Sequence, residues 1–317
     1  VARRINTMFA LLVISAAIAP TQIASALQSE VSGPANSDNP PHFQFSVNEV
    51  NQVFTVLNRK GHPISDLQRN DFVIKDAGLN VNNVLAFRQQ TETPLNIAVA
   101  IDLSGSVSSR VDYEVQVTTK FLTRVLRAGD SGRIIGFNYL SYPIDDLAQA
   151  GKILREIHRR EPGAGTAFYD AVIFACDRLA TAPETNRREV LVIISDGEDN
   201  GSRSTFQDAL HAALRRGVIV LVLYTGFQGP TRELHTLADM TGGDFFNGYT
   251  VRGMVNALAK AERAIRGQYL LAYRPPGFTP DGRFRQISIR TVAKGLQVRC
   301  RKGYYAEDTS AATPRSK

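Results

Sequence analysis

LNIAVAID, Leu95 to Asp102, runs directly into LSGSV, Leu103 to Val107. A near-continuous apolar run of this length suits a strand buried on both faces, as in a parallel sheet covered by helices on each side. It ends on a carboxylate, Asp102, and two hydroxyls, Ser104 and Ser106, follow within a few residues. In open α/β sheets, ligands bind beyond the carboxyl ends of the strands, where loops converge. One stretch therefore raises the fold and the chemistry together.

Three similar runs follow: GRIIGFN from Gly132, EVLVIIS from Glu189 and VIVLVLY from Val218. Helical patterns separate them, beginning with SRVDYEVQVTTKFLTRVLRAG, in which Val111, Val115, Leu122 and Leu126 fall on one side, and ending with VRGMVNALAKAERAIRG. Strands alternating with helices predict a doubly wound, Rossmann-like α/β domain over residues 93–267, with a parallel central sheet, right-handed crossovers and helices on both faces.

The flanking pieces read differently. Residues 43–90 carry short strand-like alternations, FQFSV, VFTVL, DFVIKD and LNVNNVLAF, with a turn at NRKGHP. Residues 268–305 return to the same texture with QYLLAYRP, FRQISIRTV and QVRCRKGYY, separated by Pro- and Gly-containing turns. Either piece alone would expose sheet edges and an apolar face. The expectation is that the two pack into one small β-sandwich; two separate additions to the α/β sheet are the alternative.

The ends carry no fold signal. Residues 1–26 are expected to be an export signal: Arg3 and Arg4, an apolar stretch from Met8 to Ala19 too short to span a bilayer, and the small-residue site Ala24-Ser25-Ala26. Residues 27–42 read as a flexible linker and residues 306–317 as a disordered tail. No later segment is long and apolar enough to cross a membrane, so the mature protein is expected in the periplasm or outside the cell, with no stable membrane span after cleavage.

Composition narrows the function classes. The 317 residues are 43% hydrophobic and 21% charged with a net charge of +7, and removal of Arg3 and Arg4 leaves +5. The basic residues are scattered apart from short pairs such as Arg159-Arg160 and Arg215-Arg216, which argues against a nucleic-acid footprint. The basic balance hints at acidic partners. Export would permit a disulfide between the two cysteines, Cys176 and Cys300, but Cys176 sits among Phe168, Val172 and Leu179, where a small buried hydrophobe fits. Neither has metal-ligand spacing.

Two further strand ends match the chemistry of the first. Asp196 follows EVLVIIS within SDGEDNGS, and Thr166 lies on the Gly-rich turn EPGAGTAF before a helical pattern. Asp102, Ser104, Ser106, Thr166 and Asp196 are all hard oxygen donors, suited to Mg²⁺, Mn²⁺ or Ca²⁺ and not to zinc or copper. Two aspartates can neutralise a divalent ion while hydroxyls coordinate it without adding charge, so the ion still accepts an anionic oxygen from a partner. The bland alternative for Ser106 and Thr166 is helix capping. Glu198 and Asp199 read as an exposed acidic turn in preference to a second metal site.

This order of motifs, DxSxS at Asp102 to Ser106, then Thr166, then Ser195-Asp196-Gly197, resembles the metal-ion-dependent adhesion site of von Willebrand factor A domains. The segments Asn70-Asp71-Phe72-Val73, Tyr269-Leu270-Leu271-Ala272-Tyr273-Arg274-Pro275-Pro276 and Arg301-Lys302-Gly303-Tyr304-Tyr305 are similar to an exported type of these proteins abundant in acidobacteria. One departure is KDAGLN, where that type more often has an Asp-Gly turn. The resemblance implies Ser104, Ser106 and Thr166 as direct ligands, Asp102 and Asp196 as direct or water-mediated ones, and Gly105, Gly165 and Gly197 as loop glycines allowing close backbone approach. It also implies that ligation can be linked to movement of the last helix, here VRGMVNALAKAERAIRG, leading into the C-terminal β piece.

The functional expectation is a binding or adhesion protein whose divalent ion, Mg²⁺ first, captures a carboxylate of a protein partner. The alternatives are an envelope scaffold with a purely structural metal and, with less support, a metal-dependent hydrolase. Against the hydrolase, the chain has no GxSxG elbow, no HExxH and no P-loop lysine at GAGTAF. His158, His211 and His235 fall on predicted helices, where packing roles are expected. The sequence leaves the oligomeric state open.

Overall fold

The computed structural model describes residues 49–89, 93–107, 109–161, 164–180, 187–227, 229 and 231–307. The export signal, the linker and FQFSV lie outside the described residues. In chain order the strands are β1 (Val50–Leu57), β2 (Phe72–Asp76), β3 (Leu79–Asn80), β4 (Val84–Gln89), β5 (Leu95–Asp102), β6 (Ser131–Phe137), β7 (Ser141–Ile144), β8 (Arg188–Ser195), β9 (Ile219–Tyr224), β10 (Phe245–Asn247), β11 (Gln268–Tyr273), β12 (Phe284–Thr291), β13 (Gln297–Cys300) and β14 (Gly303–Tyr305). The helices are α1 (Val111–Val125), α2 (Ala150–Arg160), α3 (Phe168–Leu179), α4 (Phe206–Arg215), α5 (Arg232–Thr241) and α6 (Val251–Arg266).

The central sheet has the order β10-β9-β8-β5-β6-β7 and is parallel except for β7, which returns antiparallel on β6. Every residue of β5 is buried. Its odd-numbered members Ile97, Val99 and Ile101 pack with α1, α2 and α6, whereas Ala98 and Ala100 face α3, α4 and α5. Alternating side chains thus feed two separate cores, with small residues on the α3 side. The doubly wound arrangement follows. Two short strands, β7 and β10, complete the sheet without any apolar run in the sequence; β7 carries Pro143, which an edge strand tolerates because one side of its backbone has no partner.

The flanking strands form two antiparallel four-stranded sheets, β13-β1-β11-β4 and β14-β12-β2-β3. Strands from the two ends of the chain interleave: β1 lies between β13 and β11, and β2 pairs with β12. Their inner faces share one core, where Phe54, Phe72, Phe87 and Tyr269 meet with ring centroids 5.3–6.4 Å apart. Two segments read as single strands cross between the sheets instead. LNVNNVLAF divides into β3 and β4, and QVRCRKGYY into β13 and β14. In each, a short break lets the chain change sheet at a corner, as in orthogonally packed sandwiches. The KDAGLN hairpin closes between β2 and β3 with Ala77 at φ 48° and Gly78 at φ 81°.

Beneath this core Asp76 is fully buried and fully satisfied. It accepts from Arg285 Nε at 2.8 Å, Tyr273 Oη at 2.8 Å and Tyr304 Oη at 2.9 Å. Two residues of the segment read as a disordered tail are held in place: Ala306 is buried and hydrogen-bonds Gly282 and Arg283, and Glu307 pairs with Arg215 at 3.0 Å. Cys176 and Cys300 are both free and buried, in different cores. Among the described residues, no helix is long and apolar enough to cross a membrane.

Candidate functional site

Strand order reverses about β5, which sends its connection to β6 on one side while β8 pairs with it on the other. The carboxyl ends of β5 and β8 therefore diverge into loops at the switch point, the place where this fold class builds ligand sites. Asp102 ends β5, and Ser195 ends β8 with Asp196 as the next residue.

Asp102 is fully buried, and its carboxylate takes hydrogen bonds from the Ser104 amide at 2.9 Å and from Ser195 Oγ at 2.6 Å. Neither donor carries charge. Burial pushes its acid up to about 6, although both serines oppose the shift and the nearby Asp196 adds to it. Ser104 Oγ lies 3.1 Å from Ser106 Oγ, which donates to Asp196 Oδ2 at 2.6 Å. Ser195 Oγ in turn accepts from the Gly197 amide at 2.9 Å, where a φ of 75° aims the amide back. Ser195, quoted within the motif but given no role there, is thus a member of the cluster.

The third loop arrives through its backbone. The Gly105 amide donates to Ala164 O at 3.0 Å, Asn200 Oδ1 accepts from the Thr166 amide at 2.8 Å, and Thr166 O accepts from the Asn200 and Gly201 amides at 3.0 and 2.9 Å. Thr166 is buried, but among the described residues it shares no hydrogen bond with the other four. Gly165 leaves no room for a side chain: a Cβ there would sit 2.3 Å from Tyr139 Oη and 2.4 Å from Asn200 Oδ1.

Helix capping does not occupy Ser106 or Thr166. The caps of α1 and α3 fall on Arg110 and Ala167, neither with a side-chain cap bond. The first turn of α3 is instead satisfied from the β8–α4 loop: Asp199 Oδ1 accepts from the Phe168 amide at 2.8 Å, and Ser202 Oγ accepts from the Tyr169 amide at 3.0 Å. Asp199 is thus a half-buried cap that ties two site loops together, not an exposed acidic turn.

Behind the cluster, on the buried stripe of α1, lies Glu114. It is 1% exposed, neither carboxylate oxygen has a hydrogen-bond partner among the described residues, and Arg110 Nε stands 3.7 Å away. Burial pushes its acid up to about 8, Arg110 opposing the shift and Asp102 and Asp196 reinforcing it. The signal for Glu114 was present in the sequence, because on a 3.6-residue period it shares the face of Val111, Val115 and Thr118.

Among the described residues the histidines take no part. His158 contacts Leu103 O at 3.1 Å, and His211 and His235 pack on Tyr305 and Phe245. Among the described residues no group of three His, Cys, Asp or Glu side chains is placed to hold a metal. An ion at this site would rely on the serine and threonine hydroxyls beside the two aspartates. The donor set fits such an ion: all its atoms are oxygens, and one buried carboxylate has no cation of its own.

The von Willebrand factor type A domain model matches residues 96–257, just over half of the chain, and the chain belongs to that family. It is 26% identical over 174 residues to calcium-activated chloride channel regulator 3A-1 of Mus musculus, a match covering 52% of this chain and 18% of that one. The match to calcium-activated chloride channel regulator 1 of Bos taurus is 23% identical and also covers 18% of the relative, so the chain spans under a fifth of the length of these proteins. Among solved structures, von Willebrand factor type A from Catenulispora acidiphila aligns with a TM-score of 0.46 at 13% identity, covering 84% of this chain and 75% of that one. Proximal thread matrix protein 1 from the mussel byssus, with a zinc-occupied MIDAS motif, aligns with a TM-score of 0.45 at 16% identity, covering 60% and 49%.

Proposed function

We propose that this chain is a metal-dependent binding module in which Asp102, Ser104, Ser106, Thr166 and Asp196 hold one divalent cation, with Mg²⁺ ahead of Mn²⁺ and Ca²⁺. A bound ion supplies a positive centre with a coordination position open to a carboxylate of a protein partner. The observation that carries the reading is Asp102: a fully buried carboxylate, its acid pushed up to about 6, with only neutral donors around it. A buried charge without a counter-charge is costly, and a cation removes that cost.

The surroundings support dependence on the ion. The cleft beside Ser106 is about 990 Å³, and its charged lining is Asp196, Glu198, Asp199 and Glu233 against Arg110. This balance repels an acidic partner until the ion is in place, and it replaces the chain's overall basic charge as the local guide to recognition. Phe227 is 83% exposed and Val251 61% exposed on the same rim, with Tyr249 packed 5.7 Å from Phe227. A partner whose carboxylate is flanked by apolar side chains fits this rim. The reading places the mature chain outside the cytoplasm, on the N-terminal sequence alone, and assigns it no catalysis.

Pull-down from envelope extract, with wild type and Asp102→Ala and with and without EDTA, tests the whole reading. The expected result is a partner retained only by wild type with Mg²⁺. Retention that survives both EDTA and Asp102→Ala contradicts it.

A further inference from the structure

At the opposite, amino-terminal edge of the central sheet, a second cleft of about 220 Å³ opens between β8 and β9 on one side and β1 and β11 on the other. Its lining includes Arg187, Arg188, Arg216 and Arg301, with Glu189 as the single acid among the described residues. Four arginines lining one partly buried cleft are unusual, because like charges repel and arginine is rarely buried without a counter-charge.

Their partners show how little of that charge is compensated. Arg301 donates through Nε to Gln52 Oε1 at 2.8 Å and through NH2 to Asn51 O at 2.9 Å, both neutral acceptors. It also crosses to the α4–β9 turn, where a Cβ on Gly217 would lie 3.6 Å from its NH1. Arg187 donates to Ser131 Oγ at 3.0 Å. Arg188, 2% exposed, bonds Thr93 O, Ile265 O and Gln268 Oε1, yet its Nη2 is buried without a partner among the described residues. Among the described residues only Arg216 has a carboxylate, Asp177 at 2.6 Å, and Glu189 accepts from Asn96 Nδ2 at 2.8 Å. Among the described residues four positive charges thus meet two negative ones, an excess of two.

We propose that this cleft is an anion site for a phosphate group. Guanidinium forks match the tetrahedral oxygens of phosphate, and a monoester or inorganic phosphate carries roughly −1.5 to −2 at neutral pH, the charge the cleft lacks. Arg188 serves mainly to fasten α6 to β11, and Arg187, Arg216 and Arg301 are the residues that take the ligand. The site is independent of the metal centre, which lies at the other end of the same strands. Free phosphate and the phosphate of a lipid headgroup share this chemistry.

The test is calorimetric titration of the full chain with inorganic phosphate, at ionic strength matched with NaCl, beside flotation with phosphatidic acid or phosphatidylcholine vesicles. Wild type is expected to bind one phosphate per chain, or phosphatidic acid vesicles alone if the source is a headgroup. Arg301→Gln, and separately the less buried Arg187→Gln, each weaken that binding at least tenfold, while Arg203→Gln and Asp102→Ala leave it intact. Circular dichroism of both cleft variants checks that they fold, and either one suffices for the test. The proposal is overturned by absence of binding to both probes, by equal binding in wild type and the cleft variants, or by a response that chloride reproduces.

Discussion

Among the described residues two aspartates are completely buried, Asp76 in the sandwich and Asp102 at the end of the central sheet, and they are equipped in opposite ways. Asp76 receives a guanidinium and two phenol hydroxyls, with Arg285 NH2 2.7 Å from its Oδ1. Asp102 receives one amide and one serine hydroxyl. The first carries its counter-charge within the fold and fixes the packing of β2, β11, β12 and β14. The second has none, and its neighbours Ser106 and Asp196 add oxygens and no cation. A buried carboxylate that the fold has neutralised is structural; one left without a cation marks a place where a cation is to be supplied.

The largest effect that could break this contrast is on stability. Asp76→Ala leaves the half-buried Arg285 without its carboxylate and two buried tyrosine hydroxyls without their acceptor, and is expected to cost about 3–5 kcal/mol in urea unfolding, with or without Mg²⁺. Asp102→Ala removes an uncompensated buried charge. Its metal-free stability is expected to match or exceed wild type at pH 8, while Mg²⁺ affinity falls at least a hundredfold. Equal losses of stability in the two variants would erase the distinction.

The pH dependence sharpens it. The acids of Asp102 and Glu114 stand at about 6 and about 8, above their ordinary 3.8 and 4.5. In those windows the folded chain holds protons that the unfolded chain has released, so metal-free stability falls as pH rises through them, by at most ~1.4 kcal/mol per group per pH unit. Glu114→Gln is expected to flatten the upper part of that decline. Saturating Mg²⁺, at about 100 times its dissociation constant, is expected to restore roughly 2.7 kcal/mol at pH 8. Metal-free stability that instead rises from pH 5 to pH 8 would count against an unneutralised carboxylate at this site.

Smaller effects follow at single oxygens and in one turn. Ser106→Ala is expected to weaken Mg²⁺ binding about tenfold in calorimetry and leave thermal unfolding of the metal-free chain unchanged. Ala77, in the left-handed region at φ 48°, is a poor residue for its hairpin position, and Ala77→Asn is expected to raise stability by about 0.5–1 kcal/mol in urea unfolding.

The two aspartates also differ in how far they could be read from sequence. Asp102 was legible because a run buried on both faces, LNIAVAID, has to end beyond the sheet, and its last residue has to lie in the loop cluster. Asp76 was not, because its partner Arg285 is 209 residues away and nothing local to DFVIKD names it. The same limit applies to LNVNNVLAF and QVRCRKGYY: alternation marks them as β, but which sheet each half joins is decided by distant strands. β7 escaped notice because Pro143 and its polar neighbours carry no apolar pattern. Glu114 was passed over because a single acid within an amphipathic helix reads as surface unless its position on the turn is counted.

The most direct measurement is calorimetric titration of metal-free wild type and Asp102→Asn with Mg²⁺ at pH 7.5. The account predicts one ion per wild-type chain and none in the variant, with both equally folded. Equal binding in the two, or no binding in wild type, would contradict it.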